Sequence, residues 1–134
     1  MQENISINIQ KVKIAVTIPR NSTQKLRDAI CNAGAGIIGN YTYCSSSTKC
    51  LGTFIPNNNA NPHIGKCNHL EFVEEDRLEV VCDIKNVKTV LKALRDTHPY
   101  EEPFIDIFSC IANYPPLSIL EDFLFLSYNM YNNL

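Results

Sequence analysis

His98-Pro99-Tyr100-Glu101-Glu102-Pro103 gathers an imidazole, a phenol and two carboxylates into six residues. Such a set can contact a small ligand or a metal ion, with His98 and Glu101 or Glu102 as the contacts. It can equally finish a helix, because the negative end of the helix dipole favours a protonated histidine. A second group, Cys44, Cys50, His63, Cys67 and His69, has the soft-ligand chemistry of zinc or copper(I) sites. Its spacing, CxxxxxC followed by HxxxCxH, matches no zinc module, and Cys44 and His63 are its best-placed members. A third stretch, Gly34 to Gly39 (GAGIIG), is a literal GxGxxG string of the kind that cradles a pyrophosphate. No serine or cysteine nucleophile is tied to a base by any motif, so no catalytic residue is assigned and an enzyme is not expected.

The elements around these residues decide between the readings. Lys11 to Ile18 (KVKIAVTI) alternates with the period of a half-buried strand, and Pro19 closes it. Ser22 can cap a helix with Leu26, Ala29, Ile30 and Ala33 on one face, and that helix stops at Gly34. Ile37 to Tyr43 reads as the second strand. His69 to Ile84 reads as one long strand, or as two bent around Glu74 to Asp76. Asn86 can cap a second helix bearing Val87, Val90, Leu91 and Leu94, and Phe104 to Ile111 alternates as the last strand. One strand, helix, strand unit is thus made twice. Two such units predict an α+β, ferredoxin-like split βαβ repeat: a four-stranded antiparallel sheet with both helices on one face.

In that order GAGIIG follows a helix rather than opening one. Gly34 then becomes the left-handed residue past a helix C-terminus, where the dipole repels phosphate, and a nucleotide loop is not expected. The connection from Cys44 to Asn68 is a β excursion, with Lys49 to Ile55 a short extra strand, Gly52 a bulge or bend, and the Asn57 to Pro62 run a turn. Glu74, Glu75, Asp76 and Glu79 read as a solvated strand face. If both helix C-termini open onto one edge of the sheet, Gly34, Gly36, Gly39, Asn40, Tyr41, His98, Tyr100, Glu101 and Glu102 converge there as a ligand site suited to a polar or cationic molecule. His98→Ala would then weaken binding at little cost to folding.

Composition sets outer bounds. The 134 residues suffice for one domain, and a net charge of −2 leaves no basic stripe for nucleic acid. No signal segment and no apolar run of about 20 residues appears, which points to a cytoplasmic protein with no membrane partner. In that compartment the six cysteines are free thiols, with Cys31, Cys82 and Cys110 expected in the core. Residues 1–10 read as a flexible N-terminus, 11–111 as the folded domain and 112–134 as a helical tail. In that tail Ile119, Phe123, Leu126 and Met130 form an apolar stripe, widened by Leu120 and Leu124.

Four segments, GAGIIGNYTYC (34–44), GTFIPNNNANPHIG (52–65), LEFVEEDRLE (70–79) and HPYEEPFIDI (98–107), stand in the order seen in one domain of the YqfO, or NIF-three-like, proteins, which this chain resembles. The resemblance implies a PII/CutA-like fold that assembles as a trimer. It also implies a regulatory or small-ligand-binding module whose excursion acts like the PII effector loop, with no cofactor. A CutA-type protein binding zinc or copper is the alternative. In the full-length family the dinuclear metal ligands belong to flanking domains, so the resemblance carries neither that centre nor its hydrolytic chemistry to these residues.

Overall fold

In the computed structural model, which describes residues 10–110 together with Leu124, Tyr128, Asn129 and Asn132, the first strand β1 runs Lys11–Pro19. Its even-numbered residues Val12, Ile14, Val16 and Ile18 are all buried, as the alternation predicts. A short 3-10 turn leads into helix α1 (Thr23–Asn32), which places Leu26 and Ile30 on those side chains. Strand β2 is Ser45–Phe54, strand β3 is Glu71–Asp83, helix α2 is Val87–Thr97, and strand β4 is Ile105–Cys110. The sheet order is β2-β3-β1-β4 and every pairing is antiparallel. Both helices share one face, where Val90 and Leu94 of α2 join Leu78, Val80 and Cys82 of β3 in one core. This is the expected ferredoxin-like architecture.

Several local expectations are corrected. Ser22 and Asn86 occupy the N-cap positions, but neither side chain caps its helix. The first turn of α1 is instead tied to β3 by the Thr23 hydroxyl, which donates to Asp76 at 2.8 Å. The second strand does not lie at Ile37 to Tyr43. Gly36, Gly39 and Tyr43 all have positive φ (74°, 56° and 57°), so that stretch is a protruding turn closed by paired hydrogen bonds between Ile38 and Tyr41. The stretch from Lys49 that the pattern predicts as an extra strand is instead the second half of β2, which begins at Ser45 in residues too polar to signal a strand, because β2 is an edge strand with no face turned to the core. Cys31 and Cys82 are buried as expected, and burial pushes both thiols up. Cys110 is only half-buried, on edge strand β4. Most of the helical tail, including Ile119, Leu120, Phe123, Leu126 and Met130, lies outside the described residues, as does the N-terminal segment 1–9; Leu124 is helical and exposed.

Candidate functional site

GAGIIG has the role its position implies. The amide of Gly34 (φ 115°) donates to the Cys31 carbonyl and that of Ala35 to the Ile30 carbonyl, the two bonds of a Schellman motif ending α1. The next amide, Gly36, donates to Val81 of β3 at 2.8 Å. His98 closes α2 in turn, its amide donating to Leu94, and its Nε2 bonds the Thr17 carbonyl at 2.8 Å. Val81 pairs with Lys13 and Thr17 pairs with Arg77, so the two helix ends meet the β1–β3 pair four residues apart, roughly 13 Å along the strands. Because β1 and β3 are antiparallel, the two repeats point opposite ways and their helices end at opposite ends of the sheet. The expected convergence does not occur: Gly34, Gly36, Gly39, Asn40, Tyr41 and Cys44 lie at one end, while His63, His98, Tyr100, Glu101 and Glu102 lie at the other. Cys44 and His63 therefore do not share a site. Among the described residues no group of three or more His, Cys, Asp or Glu side chains could hold a metal ion.

The second end holds a cleft of about 660 Å³ on the face of the sheet opposite the helices. Its floor is built by register, since Thr17 of β1, Arg77 and Glu75 of β3, and Cys50, Gly52 and Phe54 of β2 all point to this face. The loop from Ile55 to Ile64 and the segment Tyr100 to Phe104 form its walls. Glu101 ties the walls together, its Oε1 accepting the Asn61 amide at 2.9 Å. The loop is braced from behind by Asn68, whose amide donates to the Pro56 carbonyl at 2.6 Å and whose side-chain amide donates to Asn58.

Two groups in or beside the cleft overturn their sequence readings. Glu75, read as solvated, is 5 % exposed, and its Oε2 accepts the Tyr100 hydroxyl at 3.0 Å. Burial and the Glu75 carboxylate push the Tyr100 phenol well up, so it stays protonated and donates. His98, expected either as a ligand contact or as a protonated helix end, is buried at 6 % exposure with both ring nitrogens engaged. Nδ1 accepts the Tyr100 amide at 3.1 Å, so Nε2 carries the proton that it donates to Thr17. Burial, seconded by nearby His63, holds its pKa below the ordinary 6.5 against the pull of the Thr17 carbonyl. His98 is therefore a neutral strut under Tyr100 (ring centroids 4.9 Å apart) rather than a ligand contact.

Gly52 was read as a bend, yet it pairs in regular register with Val73. A Cβ built on it would fall 1.8 Å from Glu75 Oε1, so the glycine makes room for the carboxylate. Phe54, Glu75, Arg77 and Phe104 stand inside the segments that carry the family resemblance, but neither they nor Thr17 are marked there as site residues. Only the register of β2 on β3 reveals that they share a cleft.

No protein-family model matches the chain. Curated relatives do. The GTP cyclohydrolase 1 type 2 homolog of Halalkalibacterium halodurans is 44 % identical over 96 residues, 72 % of this chain and 26 % of that protein. The protein of the same name from Mycobacterium bovis is 42 % identical over 105 residues, 78 % of this chain and 27 % of that one. The chain thus spans about a quarter of the length of the curated relatives it matches. Among solved structures, a Bacillus cereus protein related to NIF3 superposes with a TM-score of 0.67 at 33 % identity, covering 78 % of this chain and 27 % of that one. The CutA1 protein of Shewanella sp. SIB1 superposes with a TM-score of 0.60 at 16 % identity, covering 87 % and 96 %, which is a likeness of fold.

Proposed function

This chain carries the PII/CutA-like domain of the NIF3/YqfO family, and from that premise we propose that it is a non-enzymatic regulatory module that binds a small molecule in the cleft over Glu75. The observation that carries the reading is the cleft itself: about 660 Å³, walled by a braced loop, with buried Glu75 in its floor accepting the hydroxyl of half-buried Tyr100. The segment from Ile55 to Asn68 is the part that responds to the ligand, in the manner of a PII effector loop, since one bond from Asn61 to Glu101 links it to the opposite wall. No group in the cleft has the geometry of a nucleophile with its base, which favours binding over transformation.

The module works in the cytoplasm as a homotrimer. Among the described residues β2 and β4 are each paired on one side only, and Leu51 on β2, Phe108 on β4 and Phe72 at the start of β3 stand exposed, surface that threefold association would cover. No helix among the described residues is long and apolar enough to cross a membrane.

Native mass spectrometry tests assembly and ligand together. The full chain is expected at three times its own mass, with an organic adduct retained from a metabolite extract at up to one per chain. A monomer without adducts would contradict the reading. A zinc or copper adduct in place of an organic one would favour the CutA-type alternative.

A further inference from the structure

We propose that the cleft selects an organic cation, an ammonium or guanidinium group on an apolar body, with Glu75 as its counter-ion. This rests on the cleft being a ligand site and adds the class of ligand. Glu75 is 95 % withdrawn from water, yet it has one partner, the neutral phenol of Tyr100 on Oε2. Its Oε1 lies over Gly52, takes no hydrogen bond from any described residue and is left accessible, since no side-chain oxygen among the described residues is both fully buried and unpaired. The nearby cations are committed elsewhere. Arg20 donates to the backbone carbonyl of Glu75 and pairs with Glu74 and Asp76, while Arg77, on the cleft face, is held by Glu79 and Asp106. A desolvated carboxylate in that state is stabilised by a charged N–H donor.

The surroundings discriminate among cations. The rings of Phe54 and Tyr100 lie 6.2 Å apart between centroids, tilted by 58°, and the His63 ring lies 6.4 Å from Tyr100. Aromatic walls beside a carboxylate suit a weakly hydrated organic cation through cation–π attraction. A bare divalent metal would find carboxylates in the lining but, among the described residues, no set of three ligating side chains placed to hold it. An anion would meet Glu75, Glu101 and Glu102 with Arg77 already paired.

The experiment titrates the full-length protein by calorimetry with phenethylammonium, phenethylguanidinium, 3-phenylpropionamide, 3-phenylpropionate and zinc chloride. Both organic cations are expected to bind at least tenfold more tightly than the amide, the carboxylate or zinc. Glu75→Gln, which keeps the shape and an acceptor for Tyr100, is expected to weaken the cations at least tenfold and leave the amide unchanged. Equal binding of cations and amide, preference for the carboxylate or zinc, or full cation affinity in Glu75→Gln overturns the ligand class while the cleft survives as a site. Absence of binding by all five overturns the site as well. If Glu75→Gln fails to fold, the comparison of ligands on the unaltered protein still decides.

Discussion

His98→Ala is expected to destabilise the protein by about 2–4 kcal/mol, a structural loss rather than a local defect in ligand contact. The imidazole is buried and bridges two backbone groups, the Thr17 carbonyl on β1 and the Tyr100 amide after α2. Removing it strands both in a site from which water is largely excluded, at about 1–3 kcal/mol for each group left unpaired, offset where water enters the vacated space. The substitution also changes the pH dependence. The folded-state pKa of His98 lies below the ordinary 6.5, so above that pH the ring is neutral in both states and its full contribution is present. As pH falls below about 6.5 the unfolded chain takes up a proton that the folded one refuses. Stability is lost at up to about 1.4 kcal/mol per pH unit until the depressed folded value is reached. Urea unfolding of wild type and His98→Ala at pH 7.5 and 5.5 reads both effects. The gap between the proteins should narrow toward acid; parallel curves, or a gap below about 1 kcal/mol at pH 7.5, would contradict the account.

Gly52→Ala is expected to cost about 1–3 kcal/mol, in a way that depends on its neighbour. The new methyl group would sit 1.8 Å from Glu75 Oε1 and 2.8 Å from Cδ, so the carboxylate must leave its place against Tyr100 or β2 must shift on β3. In a Glu75→Ala background the obstacle is gone, and the same substitution should cost less than about 0.5 kcal/mol. Urea unfolding of the four proteins in this cycle measures the coupling. Additive costs would mean that Gly52 is kept for a reason other than the carboxylate.

The repeat of strand, helix and strand was legible because its apolar residues are periodic and face one core: Val12 to Ile18 at period two, Leu26 with Ile30 and Val90 with Leu94 at helical spacing. Strand β2 was misplaced for the complementary reason. As an edge strand it carries its hydrogen-bonding register in Ser45 to Lys49, which have no apolar signal, while the apolar Ile37 and Ile38 sit in a turn made by two glycines and Tyr43. The site was half legible. Tyr100 and Glu101 stand in the motif that announced them and do line the cleft. The partner motif was placed with them by treating two repeats as parallel copies, although antiparallel pairing of β1 and β3 sends their ends apart. Glu75 was hidden because β3 changes its buried face along its length, from Val73 and Glu75 to Leu78, Val80 and Cys82. Within an acidic run such a residue looks solvated until the strand opposite is in register.

The location of ligand binding tests the central claim most directly. Backbone amide shifts of isotopically labelled protein, followed during titration with phenethylammonium, should move at Thr17, at residues 50–64, at Glu75 and Arg77 and at residues 100–104, while residues 34–44 stay still. Shifts centred on Gly34 to Tyr41, or spread over the surface without saturation, would contradict the assignment of the cleft over Glu75 as the functional site.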